Sequence, residues 1–518
     1  MVRQGSGAHD SHRDPGRDEF GYPTILAIMS RRLGFFALAF GSGFAVLAIE
    51  IAGARLIAPV FGLSVVPWTA VIGVILTALA AGNHIGGRLA DAGRVPLSSV
   101  LATASITGVL PVIGSSFPWL AREIFGFIPG ALVSALVLFA PPVLCLGAVV
   151  PYLVQADTDD LDSVGRRAGD ISASATAGSI TGSFVTGFFL LPIMPLSVLL
   201  GVTAGALMLM AAASRRILGG RSQRGRTLVA VIGLPILGVL ASGPPPDTLY
   251  AGQTLYTAVA VTERPWTDGR IVRELWQNGG SSSAEFVDSG APAHVYASAS
   301  LDMLNLWIDQ VDRALVLGGA ALTVPVAMQE ARPVMEIVVV EIDPKVTELA
   351  QMYFAFGERE RPAIRVQHED ARTFLRSGSN RYDLVYLDVF DHLLTVPWTM
   401  VTREALVDMR ARLGTGGVFM ANILSPLAGE GTAFLARFRT TLESVFPATR
   451  IYMTESSSDP EATQNLIVLG AESEVVLDPL DASWVVSPVP AAGTPLTDAW
   501  APVESLQARV FMGGLRWR

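Results

Sequence analysis

Seven long apolar runs in the first 243 residues constrain this chain more than any other feature; they cover 33–54, 66–87, 97–117, 130–154, 171–191, 196–213 and 227–243. A bilayer core about 30 Å thick is crossed by about 20 helical residues, so each run fits or nearly fits one span. The expected architecture is a multi-span α-helical membrane domain of about seven spans over 31–243, behind a polar, disordered N-terminus at 1–30. The first run is not read as a signal peptide, because it is long, lacks a clear small-residue cleavage site and is followed by further apolar runs. Composition agrees: 51% hydrophobic and 16% charged residues exclude a fully soluble chain of 518 residues, since soluble proteins carry about 25% charged residues.

Arginine placement orients the runs. With a cytoplasmic N-terminus, the inside segments hold Arg31, Arg32, Arg88, Arg94, Arg166, Arg167 and the cluster Arg215, Arg216, Arg221, Arg224 and Arg226, and the outside segments hold Arg55 and Arg122. This satisfies the positive-inside rule and predicts a multi-pass protein of the cell (inner) membrane. Seven spans would leave the C-terminal half outside. A last run that only dips into the bilayer, as its Pro235 allows, would return that half to the cytoplasm, and the sequence leaves both open. Ser174, Gly178, Gly182 and Thr186 recur every four residues, a spacing that reads first as a helix-packing seam and second as a substrate path. Glu50, an acid in an apolar run, is a functional candidate or an interfacial carboxylate. His84 reads as an interfacial histidine, because no metal ligand stands three or four residues away.

The charge is split between the halves. Residues 1–243 carry 16 basic and 12 acidic groups and residues 244–518 carry 21 and 34, which is not the footprint of a nucleic-acid binder. The lone Cys145 excludes an internal disulfide and a thiolate zinc cluster, and no metal site is expected. Residues 244–253 read as a linker, within a linker and small β-sheet subdomain over 244–310. From 311 to 518 apolar strands alternate with amphipathic helices, the pattern of a parallel sheet covered on both faces. Chemistry in such a fold gathers beyond the carboxyl ends of the strands. There the sequence puts Gly318-Gly319, Glu341, Asp370 and Asp388. Glu341 follows Gly318 by 23 residues, near the spacing at which an acid takes ribose hydroxyls. Each acid could equally cap a helix. The absence of GxGxxG and the acidic rim disfavour NAD and suit a cationic cofactor or an amine.

LVLGGAALTVP, VVVEIDPKVTELAQMYF, RVQHEDARTFL and YDLVYLDVFD resemble, in order and spacing, the core of the spermidine synthases, the polyamine aminopropyltransferases, over roughly residues 250–470. IEIAGARLIAPVFG, WTAVIGVILTALAAGNHIGGRLAD and LTDAWAPVESL resemble the fused transporter-like/spermidine synthase proteins. The resemblance implies an α/β Rossmann-like domain of the class I methyltransferase/spermidine synthase type with a small N-terminal β-sheet. It implies no permanently bound cofactor, with decarboxylated S-adenosylmethionine (or S-adenosylmethionine) as co-substrate. Glu341 would hold the ribose and Asp370 and Ala371 the adenine, and Gly318 and Gly319 would belong to the same cofactor-binding set. Asp388 would be the catalytic base, and Asp391, Tyr256 and Tyr296 would bind the amine. The implied partners are the lipid bilayer and a small amine or polyamine, without nucleic acid. A homo-oligomer is also implied, because relatives are commonly dimers or tetramers.

Three positions depart from the family pattern. Ala321 stands where an aspartate would pair the aminopropyl ammonium, Thr257 where a glutamine is expected, and Ala297 in place of a histidine, with His294 out of register. The expected activity is therefore aminopropyl transfer to an amine with a diverged acceptor. The alternatives are an S-adenosylmethionine-dependent methyltransferase, or a non-catalytic membrane transporter or sensor that binds a nucleoside or polyamine.

Overall fold

In the computed structural model the described residues are 25–62, 65–157, 164–218, 233, 247–390, 395–454, 459–477 and 489–512. Six of the seven apolar runs form helices there, and the run at 227–243 lies outside the described residues apart from position 233. Among the described residues five helical segments are long and apolar enough to cross a membrane: Met29–Phe61, Val65–Ala92, Phe127–Asp157, Val164–Ile193 and Leu196–Ile217. A sixth, Leu97–Ile113 with Phe117–Phe125, is bent by 73°. The bend falls at Gly114-Ser115-Ser116 and precedes Pro118, residues that interrupt a helical hydrogen-bond ladder.

The small-residue stripe is a packing seam. Ser174 Oγ donates to Phe36 O at 2.9 Å. A Cβ at Gly178 would collide with Phe40 O, and one at Gly182 would lie 2.6 Å from Phe44 O. The helix Val164–Val185 therefore lies directly on the backbone of Ile25–Phe61. Arg31 reaches Ala156 O, Arg167 pairs with Asp157, and Gly34 packs on Ile217. These contacts gather Arg31, Arg32, Arg166, Arg167, Arg215 and Arg216 at one end of the helical unit. The other end carries the C-terminal half: Arg55 Nη2 donates to Leu255 O at 2.7 Å, and Gly279 lies against Pro59.

A four-stranded antiparallel sheet comes first in that half, in the order β1-β2-β3-β4. Its strands are β1 (Thr248–Gln253), β2 (Ala258–Pro265), β3 (Ile271–Gln277) and β4 (Gly280–Phe286). β1 corrects the reading of 244–253 as a linker. Pro244 to Pro246 do signal irregular chain, but TLYAGQ alternates in burial and pairs with β2. The larger sheet has seven strands: β5 (Arg313–Leu317), β6 (Glu336–Val340), β7 (Ile364–Gln367), β8 (Tyr382–Leu387), β9 (Leu413–Ser425), β10 (Ala448–Met453) and β11 (Gln464–Ala471). Their order is β10-β11-β9-β8-β5-β6-β7, with β11 antiparallel to both neighbours.

Period-two alternation fills both faces. Leu315, Leu317, Val385 and Leu387 enter one core, while Ala314, Val316, Leu384 and Tyr386 enter the other. The small sheet packs Val259, Val261 and Leu275 against Ala321, Val346 and Leu349, locking it onto the Rossmann-like domain.

Candidate functional site

Register builds the site. Leu317 pairs with Val340 on one side and Leu387 on the other, Val340 pairs with Gln367, and Leu387 pairs with Ala421. The next residue of each strand therefore falls in one row: His368, Glu341, Gly318, Asp388 and Asn422. The chain order reverses between β5 and β8, the switch point where an open α/β sheet leaves a crevice.

The centre of the row is a tight loop. Gly318 has φ +91, and a Cβ there would strike Asp388 O, so glycine is required twice over. Ala320 (φ 43) and Leu322 (φ 61) are also left-handed without being glycine. Such conformers cost about 1–2 kcal/mol each, so the surroundings must hold them. Glu341 does part of this. Its Oε2 accepts from Gly319 N at 3.0 Å and Ala320 N at 3.1 Å, and its Oε1 accepts from Asp343 N at 3.0 Å. Burial raises the Glu341 carboxyl, and the three N–H donors oppose that rise.

Asp388 sits across the loop. Its Oδ1 accepts from Asn422 Nδ2 at 3.0 Å and its Oδ2 from the Tyr296 hydroxyl at 3.3 Å. Burial pushes its carboxyl up to about 6, against the pull of those two donors. Asn422 is itself held, since Asn465 Nδ2 donates to Asn422 Oδ1 at 2.9 Å. Tyr296 stands on the helix Val295–Leu304, where its carbonyl accepts from Ser300 and Ser300 Oγ meets the buried Tyr386 hydroxyl at 3.2 Å. The His294 ring lies 5.7 Å from the Tyr296 ring and bonds Ser281 Oγ at 3.1 Å. Ser281 donates to the buried Glu274, which Arg264 neutralises. Burial lowers the His294 pKa, which favours a neutral imidazole.

The structure thus brings Gly318, Gly319, Glu341, Asp388 and Tyr296 together. Asp370 is exposed and caps the helix Ala371–Ser377, its Oδ1 accepting from Thr373 N at 2.9 Å and Thr373 Oγ1 at 3.1 Å. Ala371 opens that helix, one residue past the rim. Tyr256 stands apart on the β1–β2 turn, 45% exposed, and its described hydrogen bond is from its backbone N to Thr254 Oγ1. Asp391 lies outside the described residues. Thr257 is spent on its own turn, donating to Ala258 O. Ala321 is fully buried among Val259, Val261 and Leu275, with its N–H on Ser283 Oγ. Sequence reasoning missed Asn422 and Asn465. The available signal was a polar residue closing the apolar strand VFMA, but its partner across β8 depends on register.

A family model described as "Spermine/spermidine synthase domain" matches residues 294–477. A probable polyamine aminopropyl transferase of Bifidobacterium longum is 33% identical over 198 residues, 38% of this chain and 42% of the relative. Polyamine aminopropyltransferase 2 of Aquifex aeolicus is 22% identical over 403 residues, 74% of this chain and 77% of the relative, a stretch longer than the synthase domain itself. The chain spans about two-fifths of the length of the first curated relatives it matches. A crystal structure of a probable spermidine synthase from Corynebacterium glutamicum aligns with a TM-score of 0.38 at 19% identity, covering 53% of this chain and 96% of that one. With the row of strand ends and the matched segment coinciding, the C-terminal region of this chain is a spermine/spermidine synthase domain, homologous to the polyamine aminopropyltransferases.

Proposed function

We propose that this chain is a membrane-embedded transferase of the aminopropyltransferase type with a diverged acceptor. The carrying observation is Asp388, a carboxylate raised to about 6 and aimed by Tyr296 and Asn422 beside the Gly318–Gly319 loop. A base with a raised pKa suits proton removal near neutral pH. In the transfer, the acceptor amine attacks the carbon beside the sulfonium of decarboxylated S-adenosylmethionine. The C–N bond forms, the C–S bond breaks with its electron pair passing to sulfur, and the amine's proton goes to Asp388. Glu341 would take the ribose, Asp370 and Ala371 the adenine edge, and Tyr296 with Asp391 the amine.

The helical unit is read as the membrane anchor, supported by five segments of spanning length and the bent sixth. Its arginine-rich end faces the cytoplasm under the positive-inside rule. The synthase domain docks on the opposite end through Arg55 and Pro59, which supports an extracytoplasmic domain. That side is remote from a cytosolic adenosyl donor. Together with the apolar seal around Ala321, it favours a second reading in which the domain binds a nucleoside or polyamine without turnover.

Titration calorimetry of the full chain in detergent against S-adenosylmethionine, its decarboxylated form and methylthioadenosine tests these readings. Binding of the decarboxylated form followed by turnover with an amine supports transfer, and preference for S-adenosylmethionine points to methyl transfer. Binding without turnover supports the sensor, and no binding refutes all three. A reporter fused after residue 518 decides the side.

A further inference from the structure

Where the helical unit meets the small sheet, the described residues line an open cleft of about 890 Å³, within the range of about 300–1,000 Å³ typical of small-molecule sites. It is separate from the row of strand ends. One wall is the end of the first long helix with the bend at Pro111–Trp119 and the break at Leu191–Ser197; the other is β1 and β2. Three residues of its lining, Arg55, Thr248 and Gln253, each carry a buried side-chain atom without a hydrogen-bond partner, at Nη1, Oγ1 and Oε1. Buried polar atoms are rarely left unpaired, and such orphans point to a missing partner.

Their chemistry specifies that partner. Among the described residues Arg55 donates through Nη2, to Leu255 O, and its buried Nη1 calls for an acceptor, preferably anionic. The other cation of the lining, Arg264, is neutralised by Glu274, and the acid Glu263 by Arg273. Asp247, the remaining acid of the lining, is exposed, and no ion pair joins it to Arg55 among the described residues. Gln253 Oε1 calls for a donor, and Thr248 can give or take. The rest of the lining is largely apolar, and beside it Trp119 (49%) and Ile193 (73%) are exposed at the helix ends. An aromatic at such a helix end belongs at a membrane–water interface.

We propose that this junction cleft binds an anionic amphiphile, its hydroxyl-bearing head on Arg55, Thr248 and Gln253 and its tail on Trp119, Ile193 and Met194. An anionic phospholipid has this chemistry, and a free phosphate shares only its head. The proposal rests on the membrane placement above, and it makes the head-group layer part of the joint between the helices and the synthase domain.

The test uses the full chain extracted in detergent and exchanged into bilayer discs of phosphatidylglycerol or phosphatidylcholine, with retained lipid read by native mass spectrometry. Phosphatidylglycerol should be retained about tenfold or more over phosphatidylcholine, the scale of a charge-assisted bond. Arg55→Met should abolish that preference, and Ser115→Trp, which fills the cleft from an exposed lining position, should remove retention of both lipids. If Arg55→Met does not fold, Gln253→Leu with Ser115→Trp decides. Equal retention of the two lipids by wild type, or retention unchanged in the variants, overturns the site. Displacement by inorganic phosphate alone overturns the amphiphile. Recovery of the chain in the soluble fraction of a detergent-free lysate overturns the membrane placement, whereas a membrane-extracted chain without lipid preference overturns only the cleft.

Discussion

Replacing Asp388 by asparagine tests the site without knowledge of its substrate. Burial moves this carboxyl from the ordinary 3.8 to about 6, which corresponds to about 3 kcal/mol between its two protonation states. Between about pH 4 and 6 the folded chain holds a proton that the unfolded chain has already released, so this group's contribution to stability falls as pH rises through that window. Above it, the fold carries the whole cost of an ionised carboxylate beside Tyr296 and Asn422. Asparagine does not titrate and still offers an oxygen to Asn422. Relative to wild type, Asp388→Asn should therefore gain nothing between pH 3.5 and 4 and up to about 3 kcal/mol by pH 8. For a domain of this size that is about 6–12 °C in melting temperature. Thermal unfolding of the full chain in detergent, followed across pH 4 to 8, measures the divergence. Parallel curves for the two proteins would show that Asp388 is not held as described. In any transfer assay the same variant should lose about a hundredfold or more, the contribution of a general base.

Other outcomes follow from neighbouring contacts. Asn422→Leu or Tyr296→Phe removes a donor from Asp388, so its carboxyl should titrate still higher, read as an upward move of the same pH window. Glu285, buried beside Ala355 N and Arg273, is pushed up to about 7 by burial. Glu285→Gln should remove a loss of stability that wild type suffers between about pH 4.5 and 7, visible in the same melts. Ala321→Asp puts a carboxylate among Val259, Val261 and Leu275 and should cost about 3 kcal/mol or more in denaturant unfolding; unchanged stability would mean that the position opens to the site. Gly178→Val would drive a side chain into the backbone at Phe40, and should abolish the monodisperse peak on size exclusion in detergent.

The amino-acid sequence alone determined the division into an apolar helical half and an α/β half, because run length and period are local properties. It also determined which residues end the strands, since Gly318, Glu341 and Asp388 each close an apolar run. What those residues do for one another was decided by tertiary structure. Pairing of Leu317 with Val340 and Leu387, set by residues 23 and 70 positions away, aligns the row. Pairing of Leu387 with Ala421 delivers Asn422 to Asp388, and the helix Val295–Leu304 delivers Tyr296. Asp370 shows the opposite outcome, a strand-end acid whose oxygen serves its own helix. β1 escaped the sequence reading because a short edge strand after prolines has few apolar residues to mark it. The end of the helical unit that receives the synthase domain was equally beyond local pattern. It depends on Arg55 meeting Leu255 and Pro59 meeting Gly279, contacts between segments about 200 residues apart that only the packed chain brings together.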